Sequence, residues 1–204
     1  MRMLAIETAT EACSVALFED GQLLDHRHEV LGRGHAERLV PMVAELPQRG
    51  RAGEIRVSLG PGSFTGVRVG IAAARAFGVA WGVPVSGYPT LSLVRVMAQA
   101  ERAEPVTIVM NGGHGEWFVA SFDQSGLAIG ETTSLSPDDA VDNAAGSFLA
   151  GNRARECAAH SHKPIDSLHM LPDARFVAAL NRADLSNSVA PIYGRAPDAK
   201  PLSG

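Results

Sequence analysis

Lysine, cysteine and long apolar runs are scarce in this chain, and each scarcity excludes a class of protein. Lys163 and Lys200 are the two lysines among 204 residues, and no Lys/Arg-rich run occurs. A protein that grips a polyanion by itself carries a basic excess on some element, so tight RNA binding by the chain alone is not expected. Residues 1–100 hold 10 basic and 9 acidic residues (+1) and residues 101–204 hold 8 and 13 (−5), which together give the net charge of −4. Cys13 and Cys157 are the two cysteines and are far apart, which excludes a disulfide framework and predicts reduced cytosolic thiols. No run of about 20 apolar residues free of charge is present, so no membrane-spanning helix is predicted. Glu7 interrupts the apolar start, so no signal-peptide core is expected. With 21 glycines a collagen repeat is excluded. Set against these absences, 46% hydrophobic residues supply a core, and the length fits one large domain or two lobes of roughly 100 residues each.

The apolar pattern predicts strands over 3–8, 12–18 and 22–29, joined by the Asp20-Gly21 turn, since Asp-Gly supplies the positive φ that tight hairpins need. A helix over 34–46 follows, with Leu39, Val43 and Leu46 on one face. Residues 55–59 form a fourth strand, reached by a crossover that implies parallel pairing. Then come a Gly/Pro loop, a long helix over 63–81 stopped by Pro84, a short strand over 83–86 and a helix over 90–99. Composition changes near 101–105, where strands over 105–110, 116–122 and 127–133 repeat the opening meander around the turn at 111–115. Two lobes are therefore expected, 1–101 and 102–204. The pattern is weaker after Pro137: a short strand near 148–151, a helix over 173–183 with Ala174, Val177 and Ala178 on one side, an extended run over 191–197 and a loose tail after Asp198.

The loop 59–68 reads Leu-Gly-Pro-Gly-Ser-Phe-Thr-Gly-Val-Arg. Gly60 and Gly62 allow backbone angles closed to other residues, and Ser63 or Thr65 can cap the following helix. Two readings stand: a tight strand-to-helix turn, or first-turn N–H groups facing an anion. In the second, Gly60, Gly62, Ser63, Thr65, Gly66 and Arg68 are the candidate anion loop. No Lys-Ser/Thr pair follows the last glycine, so it is not a phosphate-binding Walker loop. The long helix carries Gly66, Gly70, Ala72, Ala73, Ala74, Ala76, Gly78 and Ala80. Interior glycine costs about 0.5–1 kcal/mol relative to alanine, so close approach must compensate. The stripe Val67, Ile71, Ala74, Gly78, Trp81, with further small residues on other faces, predicts burial on two sides. The second side is either packed on helix 34–46 or a subunit interface.

Four segments together resemble the TsaB (YeaZ) family: residues 4–17, the run 35–42 (His-Ala-Glu-Arg-Leu-Val-Pro-Met), the signature 60–70 and Pro-Ile-Tyr-Gly-Arg at 191–195. The resemblance covers 3–91 strongly and 120–190 weakly. It implies an α/β fold of two lobes, the duplicated actin/Hsp70-like (ASKHA, ribonuclease H-like) architecture. It also implies a cytoplasmic, non-catalytic subunit in the formation of threonylcarbamoyladenosine on tRNA. The partners so implied are a TsaD-like catalytic subunit in a heterodimer and a TsaE-like ATPase, with tRNA met only through the complex and a homodimer as the form open to the isolated chain. Helices 35–46 and 63–81 become the partner-binding helices, with His35, Arg38, Leu39, Met42, Val67, Gly70, Ala73, Ala74 and Phe77 as candidate contacts.

Catalytic relatives hold a metal with two histidines one helical turn apart. Here His35 is followed four residues later by Leu39, so no metal site is expected. His26 and His28 share a strand face but lack a clear acidic third ligand, and His160, His162 and His169 are expected to be exposed. In actin-like ATPases an Asp near the first strand and an Asp-x-Gly turn hold metal-bound phosphates. The matching slots are Glu7 and Asn111-Gly112-Gly113, and Asn111 brings no negative charge. The family often has an acid and an arginine in that turn, so this chain departs from its relatives there. No cofactor of its own is expected; ATP or ADP at the junction of the complex stays open. The alternatives are an M22-type glycoprotease-like hydrolase, an actin-like small-molecule kinase or ATPase, and a homodimeric module with an unrelated ligand.

Overall fold

A computed structural model describes residues 1–144 and 148–194. Arg195 and the tail beyond it, part of the expected extended run, lie outside the described residues.

The chain builds two five-stranded mixed sheets. The first holds β1 (Arg2–Glu7), β2 (Ala12–Glu19), β3 (Gln22–Val30), β4 (Glu54–Ser58) and β5 (Val85–Tyr88), in the order β3-β2-β1-β4-β5. Asp20 and Gly21 take φ of 51° and 81°, so the turn between β2 and β3 forms as the Asp-Gly pair predicts. β1 pairs antiparallel with β2 and parallel with β4. The parallel pair requires a crossover, which α1 (His35–Ala44) supplies. α2 (Phe64–Trp81) joins β4 to β5.

The second sheet holds β6 (Val106–Gly113), β7 (Glu116–Phe122), β8 (Ala128–Leu135), β9 (Phe148–Ala150) and β10 (Ser167–Leu168), in the order β10-β9-β6-β7-β8. Numbered from its own first strand, this is the order of the first sheet, with the same antiparallel and parallel pairings. Two copies of one topology are the duplicated actin/Hsp70-like fold. The turn expected at 111–115 is shorter than the sequence suggested, because β6 runs on through Gly113 and the reversal falls on His114 and Gly115. Two seven-residue helices, α4 (Pro137–Asn143) and α5 (Ala154–His160), were not legible in the sequence.

Between the sheets lies α3 (Thr90–Glu101). Its Leu93, Val96 and Met97 pack on Met3, Ala5, Ala16 and Phe18 of the first sheet. Leu91, Val94 and Ala98 pack on Val106, Ile108 and Met110 of the second. α3 is therefore buried on two sides, while α2 packs on the sheet and on α1, the first of the two readings for its second side, and keeps an exposed face. Arg95 sits in this seam, 4% exposed, 2.7 Å from Asp184 and over the Phe122 ring.

The opposite face of the first sheet is covered by α1 and α2. Leu4, Ile6, Val15 and Leu17 meet Leu39, Met42, Val43, Val67 and Ile71 there. Burying each such side chain contributes about 1.5–3 kcal/mol. β1 alternates strictly, with Leu4 and Ile6 on this side and Met3 and Ala5 on the other.

The chain then returns. Residues 173–183 were expected as a helix of the second lobe; they form two 3-10 turns, Ala174–Ala179, packed on the first sheet, and Arg182–Asp184, whose Asp184 pairs with Arg95 of α3. Ala174, Val177 and Leu180 are buried while Ala178 is exposed. A spacing of three suits three residues per turn, so the apolar edge selects the tighter helix.

Candidate functional site

The signature loop is anchored on every side. The N–H of Leu59 donates to Tyr88 O (2.8 Å), that of Thr90 to Gly60 O (2.8 Å) and that of Ser63 to Ala9 O (2.7 Å). Ser63 caps α2, its Oγ accepting from the Gly66 N–H at 3.2 Å; Thr65 plays no such part. Thr8 Oγ1 donates to Gly66 O at 2.8 Å. A Cβ on Gly62, Gly66 or Gly70 would collide with Ala9 O, Thr8 O or Thr8 Oγ1 respectively. Three glycines therefore let the loop and the first two turns of α2 lie directly on the chain leaving β1. The amides of Ser63 and Gly66 are turned onto partners within the protein, as a tight turn requires. Arg68 is also committed. Its guanidinium lies 3.2 Å over the Phe64 ring, donating to Phe64 O at 3.1 Å and to Tyr193 Oη at 2.6 Å.

Under the loop sits Glu7, fully buried at the end of β1. Its Oε1 accepts from the Ala9 N–H at 2.7 Å, and Oε2 has no partner among the described residues. Burial pushes this carboxyl up to about 7. Around it, Ser58 Oγ and Thr90 Oγ1 are 2.6 Å apart and Tyr88 donates to Ile6 O at 2.9 Å.

Between the lobes opens a cavity of about 710 Å3, walled by Glu11 and Arg68 from the first lobe, Asn111 and Asn152 from the second, and Tyr193. Asn152 spans it. Its Nδ2 donates to both carboxylate oxygens of Glu11 at 3.1 Å, and its Oδ1 accepts from the Asn111 N–H at 2.9 Å.

A family model for TsaD, tRNA N6-adenosine threonylcarbamoyltransferase, matches residues 28–186. The tRNA threonylcarbamoyladenosine biosynthesis protein TsaB of Escherichia coli K12 is 38% identical over 65% of this chain and 61% of its own length. The chain thus matches about three fifths of that relative. Protein Rv3421c of Mycobacterium tuberculosis is 34% identical over 98% of this chain and 95% of its own. The structure of YeaZ from Pseudomonas aeruginosa superposes with a TM-score of 0.79 at 29% identity, over 94% of this chain and 99% of that one. This chain belongs to the TsaB (YeaZ) family.

In this TsaB-family chain most of the residues expected at a partner surface face inward instead. His35, Leu39, Met42, Val67, Gly70 and Ala74 are buried, packed on the first sheet or on the turn after β1. His35 Nε2 lies 3.2 Å from Ala12 O. Ala73 and Phe77 are half-buried, and Phe77 stacks on Trp81 with centroids 4.9 Å apart. Arg38 is tied to Glu29 and Glu45. The solvent side of the two helices carries other residues: Ala36, Val40, Pro41 and Ala44 on α1, and Ala72, Ala76, Val79 and Ala80 on α2. Val40 is 51% and Val79 86% exposed. The sequence pattern contained this second stripe but did not say which stripe met the sheet.

The other candidate groups are dispersed. Among the described residues no group of three or more His, Cys, Asp or Glu is placed to share an ion. His160, His162 and His169 are exposed, as expected. Cys13 and Cys157 are buried, which pushes their thiols up to about 12 and about 11; neither is a thiolate near neutral pH. Among the described residues no helix is long and apolar enough to cross a membrane.

Proposed function

We propose that this chain acts in the cytoplasm in threonylcarbamoyladenosine biosynthesis on tRNA, as a non-catalytic subunit that docks a TsaD-like transferase through the solvent side of α1 and α2. The observation that carries this reading is the exposed, low-bulk apolar surface formed by Val40, Ala44, Ala72, Ala76, Val79 and Ala80. Small side chains let a partner's backbone come close, and apolar area removed from water contributes roughly 25 cal/mol per Å2. An uncovered surface of this kind marks an interaction site. In the isolated chain the same surface would favour a homodimer, displaced when the transferase binds. A TsaE-like ATPase joins the heterodimer, and tRNA is met through the complex.

The non-catalytic part of the reading rests on how the reactive groups are used. Ser63 Oγ is spent on the helix cap, both thiols are buried, and Glu7 is sealed beneath the signature loop. Size-exclusion chromatography of a mixture with the host's TsaD-like protein tests the docking. A single heteromeric peak is expected, and Ala76→Arg is expected to weaken association by at least about 30-fold, the size of a hot-spot loss. Two separate peaks from the wild-type mixture would contradict the proposal.

A further inference from the structure

After the second 3-10 turn the chain runs along the edge of the first lobe and reaches the mouth of the interlobe cavity at Tyr193 and Gly194. Ser186 and Gly87 exchange backbone hydrogen bonds of 2.8 and 2.9 Å, adding one antiparallel bridge outside β5. Arg75 then donates to Val189 O at 2.6 Å. The Ile192 N–H donates to Leu59 O at 2.7 Å, at the threshold of the signature loop. Beyond it Tyr193 Oη receives the Arg68 guanidinium, and its ring lies 6.4 Å from that of Phe64. Gly194 touches the second lobe so closely that a Cβ there would collide with the Phe118 ring of β7.

We infer that residues 186–194 form a strap with a fixed root at Gly87 and a releasable clip at Tyr193, and that the clip holds the interlobe cavity closed along one rim. Root and clip differ in kind. The root is backbone paired to backbone at a sheet edge. The clip is side chain on side chain, and both Tyr193 and Phe64 are largely exposed. Contacts of this sort open locally without unfolding the rest. Tyr193 and Gly194 wall the cavity beside Arg68 and across from Asn111. Moving them takes away a link between the lobes at this cavity; the Asn152–Glu11 bond is another among the described residues. The signature loop gains a role of its own here. Leu59 and Gly60 receive the strap's backbone, and the helix start that follows presents Phe64 and Arg68 to its last aromatic ring. This inference stands independently of the docking proposed for α1 and α2.

Amide hydrogen exchange and an interlobe distance measurement on the full chain test it. In Tyr193→Ala, exchange at the Ile192 amide is expected to rise about tenfold, corresponding to one lost hydrogen bond and its ring contact, with exchange at the Gly87 amide unchanged. Spin labels at Glu37→Cys and Glu131→Cys, both exposed and on different lobes, report the second part, because Cys13 and Cys157 are buried. The label distance distribution is expected to broaden towards longer values in Tyr193→Ala and in Arg68→Gln. Tyr193→Phe, which keeps the ring but not the hydroxyl, is expected to fall between. Wild-type exchange at Ile192, or an unchanged distance distribution, in variants with wild-type circular dichroism would overturn the inference.

Discussion

The two sides of α2 are made of the same small residues for opposite reasons. On the inner side Gly66, Gly70 and Gly78 are small because something already occupies the space: Thr8 O, Thr8 Oγ1 and the Val85 side chain stand where a Cβ would go. On the outer side Ala72, Ala76 and Ala80 are small with nothing against them. The helix meets its own sheet with one stripe and leaves the other exposed, the stripe proposed above for docking. Helix propensity does not separate the two, since alanine is the best helix former wherever it sits. Only the contacts do.

That contrast is breakable from either side. The largest expected effect is on the inner face. Gly70→Leu drives a side chain into Thr8 and is expected to cost about 3 kcal/mol or more, read as a fall in the urea midpoint; partner binding would then be lost through unfolding. Beneath the same loop, Glu7 gives an effect of similar size that depends on pH. Its folded value of about 7 lies above the ordinary 4.5. Between those values the folded chain therefore holds a proton that the unfolded chain has released. Its contribution to stability is full below about pH 4.5 and is lost as pH rises through 7, a change of about 3 kcal/mol. Glu7→Gln keeps an acceptor for the Ala9 N–H and has no charge to bury. Denaturation at pH 5 and pH 8 is expected to show the variant gaining on wild type at the higher pH; equal slopes would contradict the burial argument. Smaller again, Ser63→Ala removes the cap of α2 and is expected to cost about 1 kcal/mol, seen as a lower thermal midpoint. Smallest in stability is Ala76→Arg on the outer face, expected within about 0.5 kcal/mol of wild type while association is lost.

Much of this architecture was legible in the residues. Alternating apolar positions and the Asp20-Gly21 pair wrote the first meander, Ser63 and Pro84 bracketed α2, and the recurrence of three strands after residue 105 disclosed the duplication. What escaped was whatever tertiary contact decides. α4 and α5 are seven residues each, too short to hold a helix without the sheet beneath them. The turn over 174–179 wears an apolar spacing of three that a helical wheel misreads as an α-helix. At the site, the residues expected to meet a partner lie on the stripe that carries Leu39, Met42 and Val67, which the sheet covers. Bulky apolar residues are drawn to the core, so the stripe left exposed is the one with less hydrophobic signal. Of the strap, the extended run from Pro191 and its Tyr193 were legible, while its hold, a bridge at Ser186, two arginine contacts and one ring, is tertiary and left no pattern.

The outer face of α1 and α2 is the proposed docking surface. Chromatography with light scattering on equimolar mixtures of the TsaD-like protein with wild-type chain, and with Ala76→Arg, measures it directly. The prediction is one heteromeric species with the wild type and two separate proteins with the variant, at equal thermal midpoints of the two chains alone. An Ala76→Arg chain that still co-elutes at wild-type stoichiometry would show that the partner sits elsewhere.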